Sequence, residues 1–225
     1  MKNKMLSFVR LDYITIKPYI TWKNLLLFLV VFVFIGSGTG DVSAIIGMSM
    51  MYSVIFACYP FSVGEKNGID ALYATLPITK KTVVIGRYIF TVLLNLTMFA
   101  ASLILSIVLM TVAGKGVQLL EIVLIAVVCF ALFTLVEAIQ LPLYFKLGYN
   151  KAKYLTYFPL LCFPAMVVLG SFLLGRERVI PFVEHMFLWI QQNGALTAAI
   201  AVILWVCILM GSAKLSLRFY GKREF

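Results

Sequence analysis

The sequence holds little acidic charge, a single histidine and no motif of familiar enzyme chemistry. Only 9 of the 225 residues are Asp or Glu, against 19 Lys and Arg. The four cysteines form no CxxC pair and His185 has no neighbouring ligand set, which argues against a metal centre. Neither Gly114-Lys115 nor Gly221-Lys222 has the upstream glycine of a phosphate-binding loop, so this chain lacks the usual ATP-hydrolysing motif. We therefore predict a non-enzymatic chain that carries no catalytic residue, metal or cofactor of its own.

Apolar residues make up most of what remains. The chain is 63% hydrophobic, with a mean hydropathy of +1.03, whereas soluble domains are about 45–50% apolar. A helix needs about 20 apolar residues to cross a bilayer. Six segments approach that length: 22–37, 42–63, 82–113, 119–145, 154–174 and 196–217. We predict an all-α integral membrane protein, a single domain over residues 1–225 with six transmembrane helices.

The distribution of basic residues indicates which way the chain faces. Only Lys115, Arg176 and Arg178 fall on one side of the six spans. The other Lys and Arg residues lie in the N-terminal segment, in the second-to-third and fourth-to-fifth connections, and in the tail; Arg87 is counted with the second-to-third connection. Cytoplasmic segments carry the basic excess, so both termini are expected in the cytoplasm. We interpret the positive charge as a topology signal and a contact with anionic lipid, not as nucleic-acid binding.

The first 21 residues form an amphipathic segment. Residues 4–16 favour a helix that lies in the membrane interface, and Pro18 is expected to interrupt it. The alternative is a plain extension of the first span. The residues predicted to share the apolar face are Met5, Leu6, Val9, Tyr13 and Ile16.

The connection between the second and third spans, residues 64–81, contains a short helical pattern. Residues 68–76 provide about two turns with Ile69, Leu72 and Tyr73 on one face, and Pro77 is expected to end them. Thr79 is expected to cap the next helix. The alternative is an ordinary loop whose charges only set the topology.

This connection resembles that of ABC-2 type permeases. Glu65-Lys66-Asn67-Gly68, then 72–81 (LYATLPITKK), then Gly86-Arg87-Tyr88 are similar to the family pattern E-K-x-G, SLP-(I/V)-(S/T)-(R/K) and (K/R)-Y. The likeness is nearest to a small bacterial branch that includes phenol-soluble-modulin exporter permeases. The resemblance implies a coupling helix that docks on a separate ABC ATPase, where ATP and Mg²⁺ bind. It also implies a second permease copy or paralogue. The docking residues that it indicates are Glu65, Lys66, Gly68, Asp70, Leu72, Tyr73, Leu76 and Pro77.

Glu137 is the one acidic residue well inside a predicted span. Gln140 shares its helix face. An acidic side chain at a membrane helix centre costs about 2.5–3.5 kcal/mol on insertion scales, so it is expected to face a partner or a wet cavity. Two interpretations stay open. Glu137 and Gln140 line a cavity that meets cargo, or Glu137 lies at the interface because its span ends near Pro142.

The function predicted from the sequence is the permease subunit of an ATP-driven exporter in a bacterial plasma membrane. The resemblance implies a hydrophobic or amphipathic cargo, with peptides, including antimicrobial peptides, as the first candidates. Two alternatives come from other classes. One is a secondary transporter driven by an ion gradient, with Glu137 as the proton carrier. The other is a membrane protein that confers immunity by sequestering peptides without transporting them.

Overall fold

The structure is a computed structural model that describes residues 2–24, 42–69, 78–112, 119–154 and 193–222, together with residues 26, 30, 34 and 114. Its five long helices, in chain order, are α1 (Lys2–Ile16), α2 (Val42–Lys66), α3 (Lys80–Val112), α4 (Leu119–Leu147) and α5 (Gly194–Gly221). A 3₁₀ turn, Lys17–Tyr19, follows α1. The described residues include no strand, which confirms the all-helical prediction.

Four of these helices are long and apolar enough to cross a membrane: Ile45–Lys66, Lys80–Val112, Ile122–Leu147 and Ala199–Gly221. They correspond to the second, third, fourth and sixth predicted spans. The first and fifth predicted spans, 22–37 and 154–174, lie largely outside the described residues. Helix α3 has 33 residues, or about 50 Å at 1.5 Å per residue. Because the hydrocarbon core is about 30 Å thick, α3 must tilt or extend beyond it.

Helices α2, α4 and α5 end at the side of the bundle where α3 begins, and basic residues collect at this end. The Lys80 ammonium at the start of α3 donates to the carbonyl of Gly221 at the end of α5, at 3.1 Å. The backbone and side-chain N–H groups of Asn150, beyond α4, donate to the Glu65 carboxylate at 2.9 and 3.1 Å. We call the end of the bundle that contains these contacts the basic end. Its basic residues include Lys66, Lys80, Lys146, Lys151, Arg218 and Lys222.

Helix α1 packs against the basic end through a face that the sequence pattern did not indicate. Phe8, Asp12 and Ile16, spaced by four residues, are buried, whereas Tyr13 is 53% exposed. This buried face differs from the predicted apolar face, with which it shares Ile16, and the charged Asp12 lies in its middle. That the apolar face lies in the membrane interface stays a prediction. The helix ends at Ile16, two residues before Pro18, and the 3₁₀ turn separates it from the residues that follow. Helix α1 is therefore not an unbroken extension of the first predicted span.

Aromatic residues fill the core at the basic end. The rings of Phe61 and Tyr144 stack with centroids 5.0 Å apart, and Phe145 meets Tyr220 edge-on at 5.3 Å. Phe8 brings α1 into the same cluster. Aromatic pairs at such distances add to the stabilisation from burial alone. The basic end thus holds the larger of the two buried apolar clusters among the described residues.

Gly86 permits the close approach of α1 to α3. A Cβ atom at this position would lie 2.7 Å from the Cδ1 atom of Phe8 and 3.3 Å from its Cβ atom. The clash extends to the root of the Phe8 side chain, so a rotamer change alone does not relieve it. Glycine is therefore required here by space and not by backbone conformation.

We expect Gly86→Ala to weaken the docking of α1. Overpacking of this kind costs typically about 1–3 kcal/mol of unfolding free energy. In detergent, the undocked helix should be cut faster by trypsin at Arg10. Gly47→Ala is the control, because a Cβ atom there meets nothing within 4 Å. Phe8→Ala should partly rescue Gly86→Ala; equal cleavage rates in wild type and Gly86→Ala would contradict the packing argument.

Candidate functional site

The buried face of α3 is polar. Its inward residues recur mostly at intervals of four or seven, which places them on one side of the helix. Ile89 and Leu93, on other faces, are exposed and apolar. A helix in lipid turns its polar groups toward its neighbours. The polar residues of this face are Arg87, Thr91, Asn95, Ser102 and Ser106.

Asn95 joins three helices at the middle of this face. Ser53 of α2 donates from its hydroxyl to the Asn95 side-chain oxygen. The Asn95 amide N–H then donates to Oε2 of Glu137 on α4. All three residues are at most 2% exposed. A side-chain amide can both accept and donate, so it suits a position between a hydroxyl and a carboxylate. We call these residues the Ser53–Asn95–Glu137 cluster.

Glu137 lies inside the apolar stretch Ile122–Leu147, about 15 Å along the axis from the end of α4 at 1.5 Å per residue. Its second oxygen, Oε1, has no hydrogen-bond partner among the described residues. Gln140, one turn further on, is equally buried. Both residues thus face neighbouring helices. That they line a cavity stays a prediction.

Arg87 and Asp12 form a buried ion pair between α3 and α1. The guanidinium Nε lies 3.7 Å from Asp12 Oδ2, and both side chains are less than 5% exposed. The guanidinium also lies 4.1 Å from the centroid of the Phe61 ring, a cation–π contact with α2. Burial raises the pKa of Asp12 to about 6, with the Arg87 charge acting in the opposite direction. The loss of hydration thus outweighs the attraction at this carboxylate.

Arg87 was counted with the second-to-third connection, but the structure places it within α3; the side of the membrane that it indicates stays a prediction. Arg87 lies within α3, in its third turn, and it is 3% exposed. Its counter-charge, Asp12, comes from a helix distant in the sequence, so the local pattern gave no sign of it. Arg87 therefore acts as an internal contact and not as a surface charge.

Tyr88 connects α3 to α5. Its hydroxyl lies 2.6 Å from the Ser212 hydroxyl and 2.8 Å from that of Ser216, both on α5. Ser212 uses its single proton to bond the Ala138 carbonyl of α4 at 2.5 Å. Tyr88 must then donate to Ser212, and Ser216 must donate to Tyr88. This chain of hydroxyl groups ties α3, α4 and α5 together.

Three consecutive residues of α3, Gly86-Arg87-Tyr88, thus contact three other helices. Gly86 admits α1, Arg87 binds α1 and α2, and Tyr88 binds α5. Rotation or translation of α3 disturbs all of these contacts at once. We call Gly86-Arg87-Tyr88 the α3 hub.

The predicted docking residues are only partly within the described residues. The Glu65 carboxylate is held by Asn150, and Lys66 is exposed at the end of α2. Gly68 has a φ of 64°, a left-handed conformation that suits a residue after a helix end. Thr79 accepts a hydrogen bond at 3.3 Å from the backbone N–H of Thr82, which confirms the predicted cap. The other predicted docking residues, Asp70, Leu72, Tyr73, Leu76 and Pro77, lie outside the described residues.

The comparison with protein families matches residues 7–221 to the ABC-2 family transporter protein model. The chain belongs to the ABC-2 transporter family. Neither a curated protein nor a solved structure gives a match. The match spans α1 to α5, including the hub and the Ser53–Asn95–Glu137 cluster. ABC-2 membrane proteins are the transport components of their systems and work with an ATPase subunit. The peptide-exporter branch indicated by the 64–81 segment stays a prediction.

Sequence reasoning on this ABC-2 protein missed Asp12, Asn95 and Tyr88 as contact residues. A partial signal was present: Arg87, Thr91 and Asn95 recur every four residues in an otherwise apolar helix. That period indicates a buried polar face, although it does not reveal which residues of other helices bind it.

We expect Asn95 and Glu137 to be energetically coupled. Asn95→Leu leaves the Glu137 carboxylate without its donor, so it should lower the unfolding free energy more in the wild type than in Glu137→Leu. Side-chain hydrogen bonds between membrane helices contribute about 0.6 kcal/mol on average and about 1.7 kcal/mol at most. SDS titration of the four proteins of this double-mutant cycle measures the coupling. Thr97→Val is the control for Asn95→Leu, because the exposed Thr97 hydroxyl bonds only within α3; additive effects of Asn95→Leu and Glu137→Leu would refute the coupling.

Proposed function

We propose that this ABC-2 protein is the permease subunit of an exporter that moves hydrophobic or amphipathic substrates out of a bacterial cell. The observation that carries this proposal is the family match over residues 7–221, together with four helices able to cross a membrane. Peptides are the proposed substrate class. That choice rests on the resemblance of the 64–81 segment to the peptide-exporter branch.

ATP hydrolysis is assigned to a separate subunit. The sequence has no phosphate-binding loop, so ATP and Mg²⁺ are placed on the partner ATPase. The proposed docking element is the 64–81 segment, which connects α2 to α3. The working unit would contain two ATPases and a second permease, either a copy of this chain or a paralogue.

The contacts at both ends of the 64–81 segment support its role in coupling. At the start of the segment, Glu65 is fixed to Asn150 beyond α4. At its end, Thr79 caps α3 and Lys80 is bonded to the end of α5. A displacement of the segment is therefore passed to α2, α3, α4 and α5 within a few residues. Packed elements of this kind respond by moving between discrete arrangements.

The energy for such a movement comes from differential binding. Nucleotide must stabilise one arrangement of the complex more than the other, because a ligand shifts an equilibrium only by its difference in affinity. In the proposed cycle, closure of the two ATPases displaces the 64–81 segments. The α3 hub then transmits the displacement to α1 and α5.

The proposed orientation places the basic end in the cytoplasm. We expect an engineered cysteine at Gly116 or Glu184, in a background without the four native cysteines, to react with an impermeant maleimide in intact cells. A cysteine at Asn67 or Lys151 should react only after the cells are opened; Lys151 is chosen because Asn150 is bonded to Glu65. Labelling of Asn67→Cys in sealed cells would reverse the orientation and remove the docking argument.

The docking proposal is tested by Leu72→Ala combined with Tyr73→Ala. Truncation of an interface anchor typically costs more than about 1 kcal/mol, and the best anchors cost about 2 kcal/mol or more. The double variant should therefore co-purify with less ATPase and lose substrate-stimulated ATP hydrolysis in liposomes. Insertion into the membrane should be unchanged, because residues 72 and 73 fall between the span that ends at Lys66 and the span that begins at Lys80.

The matched control is Leu119→Ala combined with Leu120→Ala. Both leucines are exposed at the start of α4, at the end of the bundle away from the basic end. This control should retain ATPase binding and hydrolysis. If the Leu72/Tyr73 variant assembles and transports as the wild type does, the ATPase docks elsewhere.

A further inference from the structure

A groove of about 300 Å³ lies between α3 and α5, in the half of the bundle nearer the basic end. It is open at the side: Leu93 is 47% exposed and Met210 is 53% exposed. Tyr88 also lines it, but its hydroxyl is bonded to the two serines of α5. The other residues that line it are apolar: Ile89, Val92, Leu93, Leu209, Met210 and Ala213. An apolar groove on the outside of a membrane bundle suits a hydrocarbon chain.

Basic residues flank the groove on the side of the basic end. Lys81 lies two helical turns before Tyr88 and therefore on the same face of α3. Lys214 follows the lining residue Ala213, and Arg218 lies one turn beyond Lys214. All three side chains are exposed, and none forms a hydrogen bond or ion pair with a described residue. Long basic side chains near helix ends extend toward the membrane interface.

The charge around the groove selects an anionic occupant. Neither α3 nor α5 contains an acidic residue. A cationic peptide is therefore disfavoured at this position. A second copy of this chain would have to offer acidic groups to the three basic residues. Of the nine acidic residues in the chain, Asp12, Glu65 and Glu137 are already held by Arg87, Asn150 and Asn95, and Glu121 lies at the start of α4, away from the basic end.

We propose that the groove between α3 and α5 binds an anionic phospholipid. One acyl chain lies along Ile89, Leu93 and Met210, and the phosphate group lies among Lys81, Lys214 and Arg218. A phospholipid has an apolar tail with a phosphate at one end. The site has the same order, because its apolar residues lie deeper in the membrane and its positive charges lie at the basic end. Basic residues at a membrane surface attract anionic lipid in this way. The site is separate from the 64–81 segment and does not depend on the substrate.

The test uses the full-length protein in nanodiscs of equal parts phosphatidylglycerol and phosphatidylcholine. The protein is extracted in mild detergent, and the lipid retained per chain is counted by native mass spectrometry. Wild type should retain phosphatidylglycerol in preference to phosphatidylcholine. Lys214→Gln combined with Arg218→Gln should reduce that preference by about fivefold for each charge removed. Ala213→Trp, which fills the groove, should abolish retention of phosphatidylglycerol.

Two controls match these variants. Lys151→Gln combined with Lys153→Gln removes the same charge at the same end, beyond α4 and away from the groove, and should leave retention unchanged. Ala201→Trp adds the same bulk on the side of α5 opposite Met210 and should also have no effect. A phosphatidylglycerol with a diazirine in mid-chain should label peptides from both 80–112 and 194–221, and Ala213→Trp should lose that labelling.

Three results would overturn the proposal. One is equal phosphatidylglycerol retention in the wild type and in Lys214→Gln/Arg218→Gln. This comparison does not need Ala213→Trp, so the test stays valid even if that variant fails to fold. Another is an equal loss of both lipids in that double variant, because the headgroup would then play no part. The third is an Ala213→Trp protein with unchanged bound lipid and a smaller oligomeric mass. That result would make the groove a contact between copies of the chain.

Discussion

Water is absent from the hydrocarbon core, and the arrangement of this protein depends on that constraint. A polar group inside the bilayer must find its partner in the protein. Helix α3 carries Arg87, Asn95 and Tyr88 within its apolar length, and each finds its partner on a different helix: Asp12 on α1, Glu137 on α4 and Ser212 on α5. The neighbours of α3 are thereby specified by polar contacts, since lipid provides no apolar driving force between helices.

The same constraint explains why α1 belongs to the bundle. An amphipathic helix can lie on a membrane by its apolar face alone. Helix α1 also inserts Asp12 toward Arg87 and Phe8 toward Gly86, and both contacts fix its position along α3. A buried ion pair contributes little net stability, because its desolvation offsets the attraction, but loss of one partner leaves a buried charge. The pair therefore specifies where α1 docks more than it stabilises the docked state.

Features that depend on residues close together in the sequence were predictable from it. Four spans follow from apolar length, the end of α1 from Pro18, and the start of α3 from the Thr79 cap. Contacts between distant segments were not. From the sequence alone, Arg87 is interpreted as a charge that sets the topology, and Glu137 as an isolated acidic residue. The structure shows Asp12 beside Arg87 and a hydrogen bond from Asn95 to Glu137. Hydropathy indicates which residues are buried in lipid or protein, but not which helix face meets which neighbour.

Polar contacts also suit a helix that has to move as a unit. The contacts of Arg87, Tyr88 and Asn95 are made in one register and broken in the next. A displacement of α3 must therefore break several contacts together or none, and a structure with such alternatives changes between discrete states. The 64–81 segment leads directly into α3 through the Thr79 cap, and Gly86-Arg87-Tyr88 lies only two turns further on. A force on this segment meets the α3 hub before it reaches the middle of the membrane. The hub is therefore the point at which a movement outside the bilayer becomes a change in helix packing within it.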